Sequence, residues 1–77
     1  MTYISHYAGE KLNSFVEIAM TDLLVKKTMY FRKDDKEAII GFILGNYDEL
    51  YIIELDCVEL MKIAIKEATR HYESMYL

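Results

Sequence analysis

The 77-residue chain has little that could cross-link or kink it: one cysteine, no proline and three glycines. A single cysteine excludes an intrachain disulfide and the cysteine cluster of a structural zinc site. We expect a cytoplasmic location, because a lone cysteine fits a reducing compartment and no secretory leader opens the sequence. No apolar run approaches the roughly 20 residues that span a bilayer, so we expect no membrane partner. The length predicts a single domain, residues 1–77.

Charge is distributed unevenly along the chain, whose net charge is -4. Residues 34–59 carry eight carboxylates against one lysine, a balance of -7, whereas the rest has eight cations and five anions. An acidic block of this kind repels phosphate and attracts basic surfaces. It is also typical of solvated loops that keep a hydrophobic domain soluble, and the sequence leaves both interpretations open.

Helical periodicity is clear at both ends of the chain. Residues 10–27 predict a helix that begins after a break at Gly9. Its apolar positions form one stripe: Leu12, Phe15, Val16, Ala19 and Leu23. Residues 57–77 predict a second helix, with Asp56 as N-cap and Glu59 completing a capping box.

The middle of the chain permits two predictions. Isoleucine, tyrosine and phenylalanine dominate residues 28–33, 37–44 and 50–55, which favours a three-stranded antiparallel meander with turns at "KDDK" and "GNYDE". In the alternative, Asp34 caps a helix, Glu37 stands three residues later and Gly45 ends it. We prefer the strands, because the segments are short and β-branched. The expected fold is α+β, with both helices on one sheet face; the alternative is an all-α chain of three helices.

The order helix, three strands, helix resembles that of double-stranded RNA-binding domains. Those domains bind RNA through a lysine-rich start to the second helix. The corresponding stretch here, "DCVELMK", carries Asp56 and Glu59 instead. The resemblance therefore implies a protein-binding relative without the RNA surface.

The predicted sheet leaves its outward face without a covering layer. That face would be an apolar patch, and such patches in monomers are usually interaction sites. We expect a C2 homodimer, because one patch then serves both subunits. Alternatively residues 1–8 fold back across it with Tyr3, Ile4 and Tyr7. The predicted apolar interface consists of Tyr30, Ile39, Ile43 and Ile52.

Catalytic chemistry is not indicated by the sequence. Cys57 lies on the apolar stripe of the last helix between two carboxylates, which favours a buried structural cysteine over a nucleophile. Glu67 and His71 stand four residues apart and could form half of a metal site, but the second half is missing. We therefore expect no enzyme activity, no metal and no cofactor.

The function predicted from these features is that of a small acidic interaction protein, an inhibitor or regulator with a basic protein partner. A phage-type inhibitor of a host nuclease or defence complex, which mimics nucleic acid with carboxylates, fits this description. The alternative is a nucleic-acid-binding regulator that uses residues 26–33, "KKTMYFRK", whose cations flank aromatic rings; the acidic block makes nucleic acid the less favoured partner. The predicted partner-binding residues are Asp34, Asp35, Glu37, Asp48 and Glu49.

Overall fold

The fold is all-α in the part of the chain that a computed structural model describes, residues 3–77, with side chains from residue 6 onward. These residues form four helices and no strand: α1 (Tyr3–Lys27), α2 (Asp35–Asn46), α3 (Glu49–Glu54) and α4 (Cys57–Tyr76). The predicted α+β fold with a three-stranded meander is wrong. The all-α alternative was correct in class but lacked one helix. The resemblance to double-stranded RNA-binding domains depended on the strands and is lost with them.

The two terminal helices agree with their sequence patterns. Asp56 caps α4 by accepting a hydrogen bond from the backbone N–H of Glu59, at 2.9 Å. α1 continues through Gly9, so the predicted break there is wrong. It ends at Lys27. The next residue, Thr28, has a left-handed φ of 50°, and its N–H donates to the Leu24 carbonyl at 3.1 Å.

α2 begins where the helical alternative placed it, but its first turn is held differently. The Asp34 side chain makes no capping hydrogen bond. Instead, the carboxylate of Asp35 accepts a hydrogen bond from the backbone N–H of Arg32, at 2.6 Å. α2 buries Ile39 and Ile43 on one face, whereas Ala38, Gly41 and Phe42 on its other face are apolar but exposed. That is why residues 37–44 show little amphipathic pattern and were mistaken for a strand.

α3 has only six residues, too few to be stable alone, and polar side chains hold both of its ends. Asp48 accepts a hydrogen bond from the N–H of Tyr51 at 3.2 Å. At the other end the ammonium of Lys11, from α1, donates to the carbonyl oxygens of Ile52, Ile53 and Leu55 at 3.2, 2.6 and 3.1 Å. The last carbonyls of a helix lack hydrogen-bond donors within it, and here the Lys11 ammonium is their donor.

The helices pack around α1, which contacts each of the others. Lys11, in the first half of α1, meets the end of α3 just before α4 starts. Phe31, just after α1, places its ring against Tyr72 near the end of α4, with centroids 5.3 Å apart. α1 and α4 therefore run in the same direction and contact each other directly, and α2 packs against both. The core residues are Ala8, Leu12, Val16, Ala19, Leu23, Ile39, Ile43, Ile52, Leu60, Ala64 and Ala68.

The predicted apolar interface is mostly interior. Ile39, Ile43 and Ile52 are buried in the core of one subunit, because α1 covers what the sheet prediction left open. Tyr30 alone of that set is exposed, in the connection between α1 and α2. The outward patch is thus a wrong prediction, and the homodimer loses the argument on which it rested. Of the segment expected to fold back, Tyr7 is exposed on α1, while the side chains of Tyr3 and Ile4 lie outside the described residues.

Candidate interaction surface

The five predicted partner-binding residues do not share one surface. Asp34, Asp35 and Glu37 belong to the start of α2, whereas Asp48 and Glu49 belong to the start of α3. The intervening helix has twelve residues and is therefore about 18 Å long. The two predicted acidic turns therefore lie at opposite ends of α2 and do not form one binding surface.

Asp35 is a structural carboxylate. It is 5% exposed, and its oxygens bond His71 Nε2 and the Tyr76 hydroxyl, each at 2.8 Å. Burial alone raises the pKa of Asp35, but the hydrogen bonds from His71, the Arg32 N–H and Tyr76 outweigh it and lower that pKa below 3.8. The Tyr76 pKa is raised in return, chiefly by its bond to Asp35. Asp35 thus fastens α2 to the end of α4 and is not available to a partner.

A second buried carboxylate, Glu67, lies on α4, four residues before His71. Its Oε2 accepts a hydrogen bond from the Tyr47 hydroxyl at 3.0 Å. Burial, and then this bond to Glu67, raise the Tyr47 pKa. The other oxygen, Oε1, is buried and accepts no hydrogen bond from the described residues. Arg70 Nε lies 3.8 Å from it, which is close enough for charge attraction but too long for a hydrogen bond.

Glu67 belongs to a cleft between α2 and α4 that has a volume of about 200 Å³. The guanidinium of Arg70 lies over the Phe42 ring, 4.6 Å from its centroid. The cleft therefore has an apolar wall on α2 and a polar wall on α4. We refer to its lining residues as the α2–α4 cleft: Ala38, Ile39, Phe42, Glu67, Arg70, His71 and Ser74.

A cluster of carboxylates lies in residues 48–59, which we refer to as the acidic segment. It contains five carboxylates and no cation of its own. Two cations from outside the segment contact it: Lys62 pairs with Glu59 at 3.4 Å, and the Lys11 ammonium bonds its backbone carbonyls. The acidic segment also exposes three large apolar side chains: Leu50 is 53% exposed, Tyr51 50% and Val58 64%. Tyr51 stacks on Tyr47, with ring centroids 6.5 Å apart, so the surface is in contact with the residue that bonds Glu67. The five carboxylates are Asp48, Glu49, Glu54, Asp56 and Glu59.

Residues 26–33, which we refer to as the basic segment, lie at the other end of α1. Lys26 pairs with Asp22 at 3.2 Å, and Arg32 lies over the Tyr76 ring, 5.7 Å from its centroid. Lys11 and Lys27 are sixteen positions apart, which is about 24 Å of helix. The molecule therefore has one acidic end and one basic end.

The groups considered for catalysis are not brought together. Cys57 is exposed, so the prediction of a buried cysteine is wrong. Cys57 and His71 are fourteen positions apart on α4, about 21 Å along the helix, which excludes a Cys57–His71 pair. Glu67 and His71 bind different partners, Tyr47 and Asp35. Among residues whose side chains are described, no group of three or more His, Cys, Asp or Glu could hold a metal ion.

Sequence reasoning missed Lys11, Tyr47 and Tyr76, because their partners are distant in sequence. A polar residue on an otherwise apolar helical stripe was the available signal for Glu67.

None of the helices described here combines the length and apolar character needed to cross a bilayer. No family model, no curated protein and no solved structure matches the chain.

Proposed function

We propose that this chain is a non-enzymatic interaction protein that binds a basic partner through the acidic segment and thereby inhibits or regulates it. The observation that supports this best is the coincidence, within residues 48–59, of five carboxylates without a cation and three exposed apolar side chains. Complementary charge steers and orients a partner, whereas large apolar and aromatic side chains supply most of the affinity.

The acidic segment is also held rigidly, which favours binding. Asp48 and Asp56 cap α3 and α4, both of which begin within it, and Lys11 bonds three carbonyls between these caps. A surface whose backbone is already ordered loses less entropy when a partner docks. The proposal narrows the predicted binding set to Asp48 and Glu49 and adds Glu54, Glu59 and the exposed Tyr51.

Inhibition follows if the partner's basic surface normally binds nucleic acid. Carboxylates of the acidic segment would then occupy the positions of phosphates and compete with them. A phage-type inhibitor of a host nuclease or defence complex would act in this way. An exposed, unpaired thiol such as Cys57 persists best in a reducing compartment, so we propose that the protein acts in the cytoplasm.

The experiment compares two variants with the same change in net charge. Glu54→Gln/Glu59→Gln neutralises the acidic segment, while Glu10→Gln/Glu73→Gln neutralises exposed carboxylates elsewhere on α1 and α4. Proteins that the wild-type chain captures from a cell extract are identified, and the amount of each is compared with the amount that either variant captures. Each captured protein is then purified, and its affinity for the three chains is measured at two salt concentrations.

The first variant should weaken binding of a basic partner by about two- to thirty-fold, since each exposed charge contributes about 0.2–1 kcal/mol. It should also reduce the dependence of affinity on salt. The control variant should bind as the wild type does. Equal binding by all three proteins would refute the acidic segment as the docking surface.

A second candidate function is nucleic-acid binding by the basic segment, as the sequence alternative proposed. It is favoured by one observation: Tyr30 is 69% exposed in a segment that carries four cations. Aromatic rings among cations suit base stacking. A gel-shift titration with single-stranded oligonucleotides, comparing wild type with Tyr30→Ala, tests it, and no retardation at low salt would exclude it.

A further inference from the structure

We propose that the α2–α4 cleft is a binding site for a primary ammonium group, namely a lysine side chain of the basic partner. The inference deepens the proposed function and rests on it for the source of the lysine. Its starting point is Glu67, a carboxylate that is 5% exposed and lines a cleft of about 200 Å³. A buried acceptor without a donor is costly, and a ligand that brings an N–H group recovers that cost.

The free acceptor favours an ammonium over a guanidinium. Oε2 of Glu67 already accepts a hydrogen bond from the Tyr47 hydroxyl at 3.0 Å, so only Oε1 lacks a donor among the described residues. Oε1 is itself buried, and a ligand reaches it when the exposed Arg70 side chain moves aside. A guanidinium binds best to both oxygens of a carboxylate at once, whereas an ammonium is a compact donor that needs only one. Arg70, which already lies over Phe42 at 4.6 Å, has not closed the gap to Oε1.

The remaining walls suit the aliphatic part of a lysine side chain. Ala38, Ile39 and Phe42 form the α2 side of the cleft, and lysine stems commonly lie along apolar surface while the ammonium finds a polar partner. The volume is several times the roughly 30 Å³ that one water molecule occupies in the liquid. The cleft therefore has room for a four-carbon chain.

Charge around the cleft agrees with a cationic ligand. Two buried carboxylates, Glu67 on α4 and Asp35 on α2, lie near the cleft; Arg70 lies 3.8 Å from Glu67, and His71 bonds Asp35 at 2.8 Å. Arg70 is 59% exposed in its side chain, so its charge is partly screened by solvent and it can move aside.

The cleft is also continuous with the proposed docking surface. Tyr51, which is exposed in the acidic segment, stacks on Tyr47, and Tyr47 donates to Glu67. A partner that lies on the acidic segment can therefore place a lysine side chain beyond the two tyrosines. The acidic segment provides the broad charge complementarity and Glu67 the specific acceptor.

The probe is Nα-acetyl-lysine-N-methylamide, whose side-chain ammonium is free. Its uncharged match is Nα-acetyl-norleucine-N-methylamide. Both are titrated into the ¹⁵N-labelled full-length chain, and amide shifts are followed by NMR. The lysine probe should produce saturable shifts at Ala38, Phe42 and His71 at millimolar concentration, and the norleucine probe should not. Glu67→Gln, which keeps an acceptor for Tyr47, should weaken binding at least about tenfold, whereas exposed Glu73→Gln should leave it unchanged.

Several outcomes would overturn the inference. One is the absence of saturable shifts, which would mean that water or Arg70 satisfies Oε1 in solution. Another is a set of shifts confined to residues 48–59, or shifts that Glu67→Gln does not alter. The probe measures binding to the cleft alone. A negative probe titration would therefore refute the cleft site without affecting the conclusion drawn from partner capture by Glu54→Gln/Glu59→Gln. Conversely, a cleft that binds the probe while that variant captures partners normally would refute only the proposed function.

Discussion

The contact between Lys11 and the end of α3 yields the sharpest prediction about stability. Substituting Lys11→Met keeps the aliphatic chain but removes the ammonium that donates to Ile52, Ile53 and Leu55 at 2.6–3.2 Å. Three carbonyl groups at a helix end then lose their protein donor. The favourable interaction of a cation with the negative end of the α3 dipole is lost as well.

The expected cost follows from these contacts. A hydrogen bond to a charged group contributes about 1.5–3 kcal/mol, but bonds that share one ammonium do not add, and ordering a lysine side chain costs up to about 2 kcal/mol. We expect Lys11→Met to lower the free energy of unfolding by about 2–3 kcal/mol. In a domain of this size that corresponds to a decrease in Tm of about 8–24 °C.

Chemical denaturation and hydrogen exchange test this prediction together. Lys66→Met is the matched control, because Lys66 is exposed on α4 and its loss should change stability by no more than about 0.5 kcal/mol. Amides of α3 should exchange faster in Lys11→Met than in the control. If the two variants unfold at the same denaturant concentration, with equal protection of α3, the assigned role of Lys11 is incorrect.

Three further predictions concern the core, the buried carboxylate of Asp35 and the end of α1. Ile43→Ala should cost about 2–5 kcal/mol by leaving a cavity in the core, measured by urea denaturation; a change below about 1 kcal/mol would place Ile43 on the surface. Because the folded-state pKa of Asp35 is lowered, Asp35 contributes stability above its unfolded pKa of about 3.9 that is lost as pH falls through the folded pKa. The wild type should therefore lose more stability than Asp35→Asn between about pH 5 and pH 2, and parallel pH profiles would contradict this. Thr28→Gly should raise the free energy of unfolding by about 0.5–1 kcal/mol, because a β-branched residue is strained at a φ of 50° whereas glycine is not; thermal denaturation that shows no gain would argue against a left-handed Thr28.

Much of the fold's outline could be predicted from short-range pattern. The stripe of α1 contains Leu12, Val16, Ala19 and Leu23, all of which are buried, and Asp56 caps α4. Both signals lie within a few turns of one helix, so the sequence carries them completely. The middle of the chain was mistaken for strands because its apolar segments are short and rich in β-branched residues. Apolar residues on every side of a short segment also occur in α2, which buries Ile39 and Ile43 but leaves Ala38 and Phe42 exposed, so the pattern does not separate helix from strand.

The candidate surface was predictable only in part. The acidic block is visible in sequence, and Asp48 and Glu49 belong to the segment that we propose for binding. Asp35 was included with them because a charge run does not reveal burial. Its partners His71 and Tyr76 stand 36 and 41 residues later in the chain. No local pattern indicates such a contact.

The sequence by itself determined the long helices, the cap at Asp56 and the concentration of carboxylates in the middle of the chain, because these depend on neighbours a few residues apart. Only the tertiary structure decided that Ile39, Ile43 and Ile52 are interior, that Lys11 completes α3 and that Glu67 keeps an acceptor without a donor. Those features depend on which helices meet and in what direction. That choice is made by packing the whole core, since the preference of any one segment between helix and strand is small compared with what burial contributes.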